Sequence, residues 1–418
     1  MHMAVKSSSR PVYVLGGYQT DFARNWHKEG KHIVALMREV LFGTLEQTCV
    51  GPEEIDVAHV GNFAAELYCM QGHLGAFVAD LDPALRGIPT ARHEAACASG
   101  SVAALAAAAE IEAGRYDVAL VIGVEQMKTL DSKAGGDVLG TAAWYEREAK
   151  GVEFPFPKLF GKLGDEYDRR YGLRDEHLAR ISAINYENAK LNPNAQTRNW
   201  FMSYEHACST GSYNAAIGGR IKLTDCSQVT DGAAALILAS AEFAARYAQR
   251  IGSTLDRIPR VLGWGHRTAP IEFARKIEES ASDRYVLPHT RRAIVDAFRR
   301  AGLPGVESVD AIETHDCFTT SEYMAIDHFG LTAPGESWKA VEDGVIELGG
   351  RCPVNPSGGL IGAGHPVGAT GTRQLLDAYL QVTDTAGDYQ VQGARRVATL
   401  NIGGSGTTSV VHIVGFAD

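Results

Sequence analysis

The chain has 418 residues, 45 of them glycine; 45% of its residues are apolar and 22% charged. That length buries a large core in two or three domains, and the composition is that of a soluble α/β enzyme, which excludes a disordered, fibrous or membrane-spanning protein. A formal net charge of −10 speaks against a general nucleic-acid binder, whose affinity needs a basic surface that releases counterions.

No apolar run approaches the 18–20 residues of a membrane span. The opening Met1–Arg10 is short and polar, unlike a secretory leader, and Gly415–Asp418 is not a peroxisomal address. The seven cysteines, odd in number and widely scattered, read as thiols of a reducing cytosol rather than a disulfide framework. No metal is expected: His206 and Cys208 lie close together, but no second pair follows at metal spacing.

In chain order, a helical pattern at Leu36–Cys49 leads through Gly51 and Ile55-Asp56 into the strand-like Val57–Val60. The small-residue loop Ala95–Gly100 opens an Ala-rich helix, Ser101–Ala113, followed by the strand Val118–Gly123. Lys128–Thr224 then changes character, rich in Tyr, Asn, Lys, Arg and Glu, with a helical run at Asp175–Leu191. A long insertion of this kind reads either as a surface lobe or as a cover over a substrate site. Asp231–Ser240 returns to buried-strand composition.

The second half repeats the first. Arg291–Arg300 is helical, and Gly302 and Val309-Asp310 lead into the strand Ala311–Glu313. Gly362–Gly371 is again a small-residue loop, opening a helix at Thr372–Val382 before the strand Val397–Ile402. Ser405-Gly406 then turns the chain into Thr407–Val414 as an antiparallel hairpin. Alternating strands and helices predict two layered α/β halves, each with a mostly parallel sheet.

Four loops carry chemistry. Cys97 sits among small residues just before a helix, where unpaired amides and the helix dipole favour a thiolate and a ligand can come close; a buried cysteine among alanines is the plainer alternative. His365 lies in a glycine run, Asn355 to Gly371, placed to act as base to a sulfur. His315-Asp316-Cys317-Phe318 follows a strand end, where sites of α/β sheets gather. Asn401-Ile402-Gly403-Gly404 ends a strand in a turn whose amides can hold an oxyanion, or simply close a hairpin.

Cys-Ala-Ser-Gly at 97–100, the strand DGAAALIL, GHPVGATGTRQ from Gly364 and the terminal Gly-Gly turn together resemble the thiolase superfamily over nearly the entire chain. The resemblance implies a duplicated five-layer αβαβα fold with an inserted loop domain: residues 10–124 with about 228–258, the insertion 125–227, and 259–418. It implies Cys97 as acyl-accepting nucleophile, His365 as its base, and the amides of Cys97 and Gly403 as oxyanion donors. His-Asp-Cys-Phe is similar to the sterol-carrier-protein-2 type, which makes Cys317 the second acid/base and puts His315 in the oxyanion site. Phe318 would line the pantetheine tunnel and Ser227 would contact coenzyme A.

In one respect the chain departs from the family. Many thiolases carry a second catalytic cysteine where this sequence has Asn401, and an amide cannot shuttle a proton at neutral pH. The implied activity is thiolysis of 3-ketoacyl-CoA, or its reversal, with CoA and acyl-CoA as substrates, no cofactor, and a cytoplasmic homodimer or homotetramer. A ketoacyl synthase, a retro-aldolase and a non-catalytic acyl-CoA-binding scaffold are the alternatives.

Overall fold

The computed structural model describes residues 10–417; the opening polar segment up to Ser9 and the terminal Asp418 lie outside the described residues. Eleven strands are described: β1 Val12–Gln19, β2 Val57–Gly61, β3 Thr90–His93, β4 Val118–Glu125, β5 Ala216–Gly218, β6 Ile221–Lys222, β7 Gly232–Ser240, β8 Arg260–Thr268, β9 Ala311–Glu313, β10 Arg396–Gly403 and β11 Thr408–Gly415. Nine of them form one band in the order β3-β2-β4-β7-β1-β8-β11-β10-β9, while β5 and β6 make a separate hairpin. The two halves of the band join where Tyr13 on β1 faces Arg260 on β8 and the Val14 amide donates to the Pro259 carbonyl.

The halves are copies with the same order. In each, a helix (Ile33–Thr48 or Pro288–Ala301) precedes a strand (β2 or β9) that pairs in parallel with the next (β4 or β10). The copying reaches single hydrogen bonds. Asp56 accepts the amides of Asp117 and Val118 at the start of β4, and Asp310 accepts those of Arg395 and Arg396 at the start of β10. The third parallel strand of the first half, β3, survives in the second only as a bridge between Ile312 and Val354.

The sheet is mixed, not mostly parallel. Helical crossovers make β2–β4 and β9–β10 parallel, but β7 and β11 run antiparallel to β4 and β10, and β1 and β8 to β7 and β11. The reason is connectivity: β11 returns through the tight turn after Gly403, and β7 returns after the long insertion, so neither has a crossover helix to reverse its direction.

Five layers result. Helices Ile33–Thr48 and Ala241–Arg250 cover the outside of the first half, with Leu36, Met37, Val40 and Phe243 in its core. Helices Pro288–Ala301 and Thr319–Phe329 cover the second, with Ile294, Phe298 and Ile326 buried. Each such aliphatic side chain contributes about 1.5–3 kcal/mol by leaving water. Helices Ser99–Glu112 and Thr370–Val382 lie between the half-sheets. There Ala103, Ala104, Ala107 and Ala108 share one apolar cluster with Leu375, Ala378, Val121 and Val397. An alanine face lets the two helices and both half-sheets approach closely.

The insertion folds as helices Pro155–Tyr171 and Asp175–Leu191, the short helix Tyr204–Cys208 and the β5–β6 hairpin. It is tied into the body. Asn185, Asn188 and Asn192, on one face of their helix, donate to Asp316 and Glu322, to the Asn355 carbonyl and to the Ser357 carbonyl. Among the described residues no helix is long and apolar enough to cross a membrane, and all seven cysteines are free of disulfides.

Candidate active site

Cys97 and His365 meet because the two central helices start face to face. A Cβ on Gly100 would stand 2.7 Å from the Thr372 hydroxyl, and one on Gly371 2.2 Å from the Ser101 hydroxyl, so only glycine fits at either start. The Cys97 loop adds a second constraint. Ala96 holds φ at +51°, a left-handed conformation that costs a non-glycine residue about 1–2 kcal/mol and that the fold must hold in place. The Ser99 hydroxyl ties the loop by accepting from the Ala95 amide at 2.9 Å and donating to the Ala96 carbonyl at 2.6 Å.

The thiol of Cys97 and one nitrogen each of His315 and His365 lie within 4.8 Å of one another, and all three residues are buried. The two imidazoles stand nearly perpendicular, with centroids 5.2 Å apart. Their hydrogen bonds set opposite roles. Thr370 gives its hydroxyl proton to the Pro366 carbonyl, so it accepts from His365 Nδ1 at 2.6 Å, and Nε2 keeps its lone pair. Asn401 donates from Nδ2 to His315 Nδ1 at 3.2 Å, so the proton of His315 sits on Nε2, which has no other partner. Ser101 fixes the direction of the Asn401 amide by donating to its Oδ1 at 3.0 Å. One histidine is a base and the other a donor.

Burial dominates the electrostatics. It pushes the Cys97 thiol up to about 12 despite the amide of Gly404 donating to the sulfur, and it pulls His365 down to about 3 and His315 well below the usual imidazole value. The resting pair is therefore a thiol and a neutral imidazole. The stabilised thiolate expected from the helix start is not the resting state, because removal from water outweighs the dipole.

The amides of Gly404 and of Cys97 itself reach the sulfur. Gly403 instead lets the turn pack down, since a Cβ there would stand 2.2 Å from the Ala95 carbonyl. Beneath the turn, the buried Lys276 donates to the Ser405 hydroxyl at 2.7 Å and the Ile271 carbonyl at 3.0 Å; burial lowers its pKa to about 8.

Cys317 is buried, and a charge on Cys97 is felt there. Its thiol lies well above its ordinary pKa, chiefly through burial and then through the Cys97 charge. Its carbonyl accepts the Ser227 amide at 2.9 Å. Phe318 stacks on Phe160 of the insertion at 4.8 Å. Phe318, Ser227 and His365 line a cleft of about 190 Å³ closed on its other side by Phe154, Pro155 and Pro157 of the insertion. The structure thus gathers Cys97, His315, His365 and the 403–404 turn, places Cys317 buried where it feels a charge on Cys97, and sets Phe318 and Ser227 along the cleft.

Several supporting residues escape sequence reasoning. Glu125, buried and raised to about 7 by burial, accepts the amides of Phe63, Ala64 and Gly368 and so joins the first half to the His365 loop. Asp316 caps the amides of Leu360 and Ile361. Arg373, fully buried, bonds Glu313, Asp377 and Ser357. The polar residues closing β2 and β9, and the spacing of Asn185, Asn188 and Asn192, are the signals that would have found part of this network.

The family description "Thiolase, N-terminal domain" matches residues 12–199, and "Thiolase C-terminal domain-like" matches 274–416. The chain is 35% identical to the acetyl-CoA acetyltransferase of Methanothermobacter thermautotrophicus over 406 residues, covering 97% of this chain and 99% of that protein. It is 28% identical to sterol carrier protein 2 of Homo sapiens over 98% of its own length and 73% of the relative. Among solved structures, the Ltp2-ChsH2(DUF35) aldolase shares the fold at a TM-score of 0.79, with 18% identity over 97% of this chain and 98% of that one. Human mitochondrial 3-ketoacyl-CoA thiolase in complex with CoA does so at 0.68, with 18% identity over 98% of both.

Proposed function

From the premise that the chain belongs to the thiolase family, we propose that it is an acyltransferase that cleaves 3-ketoacyl-CoA with CoA, or runs the reverse condensation, through an acyl group on Cys97. The observation that carries this reading is the opposed pair of imidazoles around one thiol, with a lone pair on His365 and a proton on His315.

The residues divide the work. His365 Nε2 takes the Cys97 proton as the sulfur attacks the 3-keto carbon, and the Cys97 and Gly403 amides hold the alkoxide. The bond between C2 and C3 then breaks and its electrons become the enolate of acetyl-CoA. His315 Nε2–H donates to the enolate oxygen while Cys317 protonates the carbon. Incoming CoA loses its proton to the Cys317 thiolate and attacks the acyl carbonyl, and Cys97 leaves. Phe318 and Ser227 line the pantetheine path, and no cofactor takes part.

The domain division read from the sequence, a homo-oligomeric state and a cytoplasmic, lipid-degrading role belong to the same proposal. The insertion that closes the cleft sets the chain length accepted. Mass spectrometry after incubation with acetyl-CoA and with 3-ketoacyl-CoAs of increasing length tests the reading. An acyl adduct on Cys97 that disappears on adding CoA supports it; no adduct at any length overturns it in favour of a binding scaffold.

A further inference from the structure

The geometry points to a second use of the same three side chains: we propose that Cys97, His315 and His365 form a binding site for a soft divalent cation, zinc above all, and that the bound ion holds the nucleophile captive until it is removed. The sequence reading assigns no metal, because residues 97, 315 and 365 show no metal spacing; only the fold brings them together.

Three observations carry the inference. The ligand atoms lie within 4.8 Å of one another. In a tetrahedral zinc site, with Zn–N about 2.0 Å and Zn–S about 2.3 Å, ligands stand about 3.3–3.5 Å apart, so side-chain rotations closing the gap by about an ångström complete the site. His365 is already oriented by donating Nδ1–H to Thr370, the outer-shell arrangement that presents Nε2 to a metal, and His315 is held at Nδ1 by Asn401 and reaches the same arrangement once its proton moves there. Finally, His315 Nε2 is a fully buried polar atom with no partner of its own, which metal ligation would satisfy once its proton moves.

The proton balance is simple. Ligation displaces the proton of the Cys97 thiol to solvent, and the His315 proton passes from Nε2 to Nδ1, where the Asn401 amide rotates to accept it; no redox step occurs. One thiolate and two imidazoles suit Zn²⁺ or Cd²⁺ and leave a fourth position toward the cleft, whereas Mg²⁺ and Ca²⁺ need oxygen ligands the site lacks. Metal binding stands on geometry alone; only the inhibitory consequence rests on the acyl-transfer reading.

The test uses the full chain and three readouts. Co²⁺, as a spectroscopic stand-in, should give one tetrahedral site with a thiolate-to-metal band in the near ultraviolet. That band should vanish in Cys97→Ser, and affinity should fall at least tenfold in His315→Gln and in His365→Gln. Zn²⁺, but not Mg²⁺, should block iodoacetamide labelling of Cys97 in the unaltered chain, with a chelator restoring it; this arm needs no variant to fold. Ions held at the exposed Cys208 and neighbouring His206 persist in Cys97→Ser and are subtracted. Labelling that Zn²⁺ leaves unchanged, or cobalt spectra that survive loss of both histidines, overturns the site. Zn²⁺ that protects Cys97 in a chain forming no acyl adduct would retain the metal site and refute the acyl-transfer reading.

Discussion

Replacing Asn401 by aspartate reverses one hydrogen bond and changes little else in size. The present amide donates to His315 Nδ1 at 3.2 Å and thereby keeps the proton on Nε2. An aspartate there accepts instead. Its charge, about 4 Å from the ring, is worth about 4 kcal/mol at an effective dielectric of about 20, or about three pKa units, so it raises His315 from its present depressed position toward neutrality. Below the raised pKa the imidazolium still presents an Nε2 proton. Above it the remaining proton stays on Nδ1 against the introduced carboxylate, and Nε2 offers only a lone pair. Loss of one oxyanion donor costs about 10²–10³ in kcat, or about 2.7–4 kcal/mol. The ratio of variant to unaltered kcat, followed from pH 6 to 9, should therefore be lower above the raised pKa than below it by up to that factor, because the unaltered His315, held well below the usual imidazole value, contributes no step. Steady-state thiolysis of acetoacetyl-CoA, with acylation followed separately by rapid quench, measures the ratio. A ratio near one and flat across that range would refute the assignment of His315 as a donor set by Asn401.

Cys97→Ser should give no acyl adduct in mass spectrometry, whereas Cys317→Ala should acylate at Cys97 and then stop; normal turnover by Cys317→Ala removes Cys317 from the mechanism. Lys276→Met should remove a pH dependence of stability. Burial lowers the Lys276 pKa to about 8, so the unfolded chain binds this proton more tightly and stability rises with pH between about 8 and 10.5, by about 3 kcal/mol. Urea unfolding across that range should show the rise in the unaltered chain and a smaller one in the variant. Arg373→Met should destabilise by about 3–5 kcal/mol, since it leaves the buried Glu313 and Asp377 without their cation; a melting temperature within a degree or two of the unaltered chain contradicts this.

How much of this was legible depends on the range of the interaction. The helix Asp175–Leu191 has the bounds its pattern predicts, and helices Ile33–Thr48, Ser99–Glu112 and Thr370–Val382 begin two or three residues before theirs. Local periodicity and small-residue loops suffice for those. The duplication was legible from its Asp pairs, whose backbone clamps prove to be identical. The direction of β11 was legible too, as the hairpin that closes on β10; that of β7 was not, because strand composition carries no sign of polarity. Nor was the thiol state of Cys97: a helix start is visible in sequence, but the burial that overrides it is a property of the packed fold.

The duplication also explains why the site exists where it does. Each half ends its crossover loop with a glycine followed by a hydroxyl residue, Gly100-Ser101 and Gly371-Thr372, and each pair packs on its counterpart. Two copies of one half, meeting through their central helices, bring two helix starts to one point without any residue chosen for catalysis. Divergence then needs only single changes in the paired loops: a thiol at 97 in one, an imidazole at 365 in the other. The strand ends supply the rest in the same paired way, Asn62 bonding Glu125 in the first half and His315 bonding Asn401 in the second. Asn401 belongs to that frame as the residue that keeps a proton on His315, and a cysteine at its position could not donate to Nδ1 as strongly. On the proposed mechanism the two features are linked: the His315 donor needs the Asn401 amide behind it, and the proton shuttle is then assigned to Cys317 on the neighbouring loop.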